Sequence, residues 1–141
     1  MPAIGKTILI INDEQNKAAA LERLLKNEPG LHCDIITLEE FTKKSLRATL
    51  ADCAEKGFPV SVIISDDVIS NDLNGLTVAN IAQESPDKPA VLIKTSWQSP
   101  GAAMQNHPMI KGFFNQSSRF SDLTKAVKSI LAKGTQQSLE R

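Results

Sequence analysis

The sequence predicts an α/β fold, a doubly wound five-stranded parallel sheet with helices on both faces. Three observations predict it. Short β-branched apolar runs of strand length recur along the chain, and helical patterns of apolar residues separate them. The runs themselves are continuous rather than alternating, as expected of strands buried on both faces. Strands that alternate with helices imply right-handed crossovers between parallel neighbours. The length of 141 residues suits one ordinary domain.

The first strand is the β-branched run Thr7-Ile8-Leu9-Ile10-Ile11. Ala18, Leu21, Leu24 and Leu25 follow at helical spacing, and Glu28-Pro29-Gly30 ends that helix. The second strand runs from Leu31 to Thr37. A long helical pattern of Leu38, Phe41, Leu46, Leu50 and Cys53 or Ala54 succeeds it, stopped by Gly57. Pro59 opens the third strand, Val60 to Ser65, where it needs no ladder hydrogen bond. Beyond an Asn/Asp-rich loop, Leu76, Val78, Ala79 and Ala82 mark a short helix that Ser85-Pro86 terminates.

The fourth strand is Ala90 to Ile93. Pro100, Gly101 and Pro108 then leave room for only a brief helix. Gly112-Phe113-Phe114 forms a short fifth strand. In the last helix Leu123, Ala126, Val127, Ile130 and Leu131 share one face, and Gly134 is expected to end it. The organisation expected is a lead of residues 1–6, one domain over 7–133 and a polar tail over 134–141.

Composition narrows the function. Hydrophobic residues make up 41% and charged residues 23%, the balance of a globular protein with a core. Sixteen Lys and Arg offset sixteen Asp and Glu, so no net charge draws the chain to nucleic acid or anionic membrane. No apolar stretch approaches the ~20 residues of a transmembrane helix. Met1 to Lys6 contain no charged region followed by a long apolar run, so no secretory signal is expected. Cys33 and Cys53 are too few for a disulfide framework, and a cytoplasmic location is expected.

Open α/β sheets bind ligands at the carboxyl ends of their strands, where the strand order switches. The residues expected there are Asn12, Asp13 and Glu14 after the first strand, and Asp66 and Asp67 after the third. Thr95, Ser96 and Trp97 follow the fourth strand, and Asn115 and Gln116 the fifth. Several carboxylates in one crevice raise one another's pKa unless a cation sits between them. Oxygen ligands of that kind suit a hard ion, most naturally Mg²⁺. Acidic residues also end strands simply because loops are wet, so it is the joint arrangement that points to chemistry.

The pattern resembles the receiver domain of response regulators, the phosphoryl-accepting module of two-component signalling, over residues 7 to about 133. Ile8-Leu9-Ile10-Ile11-Asn12-Asp13-Glu14 is similar to the family's first strand, which normally ends in two adjacent acids. Val62-Ile63-Ile64-Ser65-Asp66-Asp67 is similar to the third strand, ending in the phosphoacceptor aspartate. The family places a glycine eight residues after that aspartate, and counting back from Gly75 selects Asp67 over its rival Asp66. Val91-Leu92-Ile93-Lys94-Thr95 resembles the fourth strand with its signalling Ser/Thr, and Gly112-Phe113-Phe114-Asn115-Gln116 the fifth, with Phe113 at the switch aromatic.

This resemblance implies a flavodoxin-like receiver fold and a phosphoryl group accepted on Asp67 from a histidine kinase or phosphotransfer protein. It implies Mg²⁺ held by Asp13, Asp67 and the backbone carbonyl of Ile69, with Asn12 beside them. It also implies a switch through Thr95 and Phe113 to a downstream protein that the sequence does not identify. Enzymatic turnover is not expected beyond self-catalysed phosphotransfer. The chain departs from the family in four places. Asn12 replaces the first acid, Gln116 the invariant lysine, Ser117 the proline after it, and Asn71 a proline in the loop beyond Asp67. Phosphorylation is therefore expected to couple weakly to the switch, and a constitutive pseudo-receiver that only binds proteins is the alternative.

Other chemistry lacks its motifs. Neither GxGxxG nor GxxxxGK[ST] occurs, and no G-x-S-x-G elbow is present. No Cys/His cluster has zinc spacing. A flavin-phosphate site would need an anion-friendly loop where Asn12-Asp13-Glu14 stands. A phosphatase using Asp67 is a further, remote reading. Nucleic acid is not expected as a direct partner, since no basic stripe is present. Trp97 is read either as an aromatic lid on the core edge or as part of a partner surface. His32 and His107 are read as ordinary surface or loop residues, and both cysteines as small core residues.

Overall fold

The structure, a computed structural model, describes residues 7–12, 15–28, 34–38, 41–66, 73–95, 102–114 and 120–139. Among the described residues five strands and five helices alternate. They are β1 (Thr7–Ile11), α1 (Gln15–Lys26), β2 (Asp34–Thr37), α2 (Lys43–Glu55), β3 (Val60–Asp66), α3 (Gly75–Glu84), β4 (Ala90–Lys94), α4 (Ala102–Gln105), β5 (Ile110–Phe114) and α5 (Phe120–Leu139). The strands form one parallel sheet in the order β2-β1-β3-β4-β5. The expected α/β doubly wound sheet is therefore present. Its order switches between β1 and β3, so the crevice of this fold opens at the carboxyl ends of those two strands.

Each face of the sheet packs its own core, because successive strand side chains point to opposite sides. Leu9, Ile11, Ile63, Val91 and Ile93 meet Leu46 and Leu50 of α2, Val78, Ala79, Ile81 and Ala82 of α3, and Met104 of α4. Ile8, Ile10, Val62, Ile64 and Leu92 meet Ala18, Leu21 and Leu25 of α1 and Leu123 and Val127 of α5. All five residues of β1 are buried, which is what its unbroken apolar run anticipates. The buried hydroxyls are bonded as well. Thr7 Oγ1 donates to the Phe58 carbonyl at 2.8 Å, and Ser65 Oγ to the Asp66 carbonyl at 2.8 Å.

Three expectations need correction. The helical pattern assigned from Leu38 begins as a helix only at Lys43, since Thr42 caps it. The Thr42 hydroxyl accepts from the Ser45 N–H at 3.0 Å, and Ser45 Oγ accepts from the Thr42 N–H at 3.1 Å. Leu38 is buried and Phe41 packs on the core, but both precede the helix. Leu24 is 50% exposed. At ~100° per residue it falls well to the side of the stripe that Ala18, Leu21 and Leu25 bury. Gly134 does not end the last helix, which continues to Leu139. An isolated glycine costs a helix about 1 kcal/mol, too little to stop it by itself.

The other boundaries match more closely. Gly57 closes α2 with φ +87°, a conformation that glycine adopts without strain. Asn74 caps α3 by accepting from the Thr77 N–H at 2.9 Å, and Ser85 ends that helix.

Candidate functional site at the carboxyl edge of the sheet

The crevice is assembled from residues at the ends of β1, β3, β4 and β5. Asn12 directly follows β1 and is only 3% exposed. An amide there is buried at less cost than a carboxylate, whose charge would have to be compensated. Asp66 closes β3 and is partly exposed. Cross-strand register places Asp66 beside Lys94 of β4, and Lys94 in turn beside Phe114 of β5. Thr95 follows β4 and is buried. Its backbone N–H donates to the Phe114 carbonyl at 2.8 Å, which ties the end of β4 to the end of β5.

Phe113 lies one residue earlier on β5 and opposite Ile93. Its ring is partly buried against the core on the α2, α3 and α4 side. Gly112 lets β5 approach closely. A Cβ there would lie 3.1 Å from Phe114 Cε2 and 3.3 Å from Leu92 Cδ2.

The structure thus brings Asn12, Thr95 and Phe113 to the same edge of the sheet. Asp13, Asp67, Ile69, Gln116 and Trp97 lie outside the described residues, as do Cys33 and His32. Among the described residues no group of three His, Cys, Asp or Glu side chains could hold a metal ion. A hollow of about 380 Å³ opens beside Asn12, lined by Ala18, Ala19, Glu22, Thr37, Leu38 and Phe41. Another of about 490 Å³ lies between α2 and α3, away from the strand ends.

Two features were not legible as site signals. Lys94 was a strand residue without a motif, and only the register shows it flanked by Asp66 and Phe114. His107, read as an ordinary loop residue, connects two elements. Its Nδ1 accepts from the Met109 N–H at 3.1 Å, so Nε2 carries the proton and donates to Asn80 Oδ1 on α3 at 2.8 Å.

Solved structures share this architecture. A signal receiver domain from Vibrio parahaemolyticus superposes with a TM-score of 0.75 at 18% identity, covering 97% of this chain and 98% of that one. A response regulator receiver domain protein from Clostridium thermocellum gives 0.71 at 19% identity, covering 94% and 98%. The chain has the receiver-domain fold.

A response regulator receiver domain protein from Methanospirillum hungatei is similar to the same extent, with a TM-score of 0.70 at 14% identity, covering 94% and 98%. No family model matches the sequence, and no curated protein does. The receiver fold is thus retained here at an identity where sequence comparison alone fails. That is consistent with a fold specified by its apolar pattern rather than by particular residues. No helix among the described residues is long and apolar enough to cross a membrane.

Proposed function

We propose that this chain is a phosphoryl-accepting receiver, with Asp67 as the acceptor and a histidine kinase or phosphotransfer protein as the donor. The observation that carries this reading is the receiver fold, with the buried Thr95 and the partly buried Phe113 together at its carboxyl edge. A carboxylate oxygen of Asp67 would form a bond to phosphorus as the P–N bond of the phosphohistidine breaks. The imidazole leaves and takes up a proton. The acquired group brings about two negative charges and three acceptor oxygens.

Oxygen donors from Asp13, Asp67 and the Ile69 carbonyl would form a set suited to Mg²⁺, with Asn12 as a neutral neighbour. When bound, the ion would neutralise phosphoryl charge. The chain's own residues would do the rest. Thr95 Oγ1 would donate a hydrogen bond to the phosphoryl group. Because the Thr95 N–H is held by the Phe114 carbonyl, movement of Thr95 would be felt on β5, and Phe113 would turn inward. A downstream protein would read the altered surface. Gln116 can donate from its amide but carries no charge, which would weaken its hold on the phosphoryl group.

The test is intact mass after incubation with acetyl phosphate and Mg²⁺. A gain of one phosphoryl group, abolished by Asp67→Asn and by EDTA, is the expected result. Folded protein that gains nothing from either acetyl phosphate or a kinase would overturn the reading. It would favour the phosphorylation-independent pseudo-receiver, a reading that Asn12 and Gln116 support.

A further inference from the structure

His107 stands in the turn between α4 and β5, and its two ring nitrogens bond to different elements. Nδ1 accepts from the Met109 N–H at 3.1 Å, and the Nε2–H donates to Asn80 Oδ1 of α3 at 2.8 Å. The Met109 peptide is the entry to β5, and its carbonyl accepts from the Val91 N–H of β4 at 2.8 Å. The ring therefore ties the start of β5 to α3. β5 is an edge strand that pairs with β4 alone, and it carries Phe113. The ring is partly exposed, so protons reach it from solvent.

We infer that His107 is a proton-sensitive latch on β5, closed when the ring is neutral and open on the Met109 side when it is charged. The two bonds respond differently to a second proton. Nε2–H is a donor in both states of the ring, so the bond to Asn80 persists. Nδ1 accepts only in the neutral ring, because the imidazolium carries a hydrogen on each nitrogen. With that proton in place two N–H groups face each other, and the Met109 N–H is released. Uptake of one proton from water is the whole step. Of the elements that meet at this turn, α4 bears no charged residue, and α3 bears only Glu84, which pairs with Arg47 of α2 at 3.4 Å. β4 bears Lys94 at its far end, the turn before it the exposed Asp87 and Lys88, and β5 the exposed Lys111. The latch does not depend on any chemistry at Asp67.

The experiment is amide hydrogen exchange by NMR at about pH 7.5 and about pH 5, which bracket the charge change of histidine. Each rate is divided into that of an unstructured peptide at the same pH, which gives a protection factor. Protection of the Met109 N–H should fall about tenfold on acidification, as loss of one ordinary hydrogen bond predicts. The Ser45 N–H, held by the Thr42 hydroxyl at 3.0 Å, has an acceptor that does not titrate and should keep its protection. In His107→Asn the side-chain oxygen can accept from the N–H two residues on and takes up no proton, so Met109 should be protected alike at both pH values. His107→Gln makes the same comparison if the asparagine variant folds poorly. Equal protection of Met109 at both pH values in wild type overturns the inference. So does a fall that Ser45 shares, which would be general loosening, or one that persists when position 107 cannot titrate.

Discussion

Cys53 shows how far a single residue's chemistry depends on where its helix sits. It lies on α2, partly buried and packed against the core between α2 and the sheet. Burial pushes its thiol above the ordinary value of 9.0, and the neighbouring Asp52 carboxylate adds to the rise. The folded state therefore keeps the proton longer than the unfolded chain does. The stability this contributes is fully present at neutral pH and is lost as pH rises past the ordinary thiol range through the folded value. Cys53 should react with iodoacetamide far more slowly in the folded protein than in the unfolded chain at pH 8, as peptide mapping would show. Equal rates in the two states would mean that the thiol is not sheltered. Position 53 was legible in the sequence as a small core residue, because it continues the helical spacing of Leu46 and Leu50. The register that sets Lys94 between Asp66 and Phe114 was not, because nothing local marks which residues of two other strands a strand residue will face.

At the scale of the element, the start of α2 was misread for a physical reason. Leu38 and Phe41 fit a helical apolar pattern, yet a helix can begin only where its first free N–H groups find acceptors. Thr42 and Ser45 meet that need reciprocally, with serine in the place usually taken by glutamate or glutamine. Thr42→Ala should destabilise the protein by about 1 kcal/mol, while Thr42→Ser should retain most of the stability. Urea unfolding would measure both, and an alanine variant as stable as wild type would show that the cap contributes nothing. Asn74 caps α3 in a related way, standing just before Gly75 and the apolar positions of that helix. At the far end, α5 runs through Gly134 because one glycine is a small penalty on a long helix. The Lys128–Glu28 pair at 3.0 Å joins that helix to the end of α1.

For the whole molecule, the central strand β3 is the seam between the two cores. Ile63 is fully buried on one face and Ile64 nearly so on the other. Ile63→Ala would leave a cavity beneath α2 and α3 and should cost about 2–5 kcal/mol. A drop below ~1 kcal/mol in denaturant unfolding would mean that this side of the sheet is loosely packed. The sequence by itself determined that the chain is α/β, which strands are buried on both faces, and which residue types stand at the strand ends. These follow from apolar periodicity and from strand polarity, both local properties of the chain. Only the tertiary structure decided the order β2-β1-β3-β4-β5 and the switch between β1 and β3. It also decided which strand ends are neighbours, and so that Thr95 is tied to Phe114 and Lys94 lies beside Asp66. Strand order is set by how helices of given length and apolar face cross over the sheet, and register by the interlocking of two cores at once. Neither is written in any one segment, because each is a relation between segments far apart in the chain.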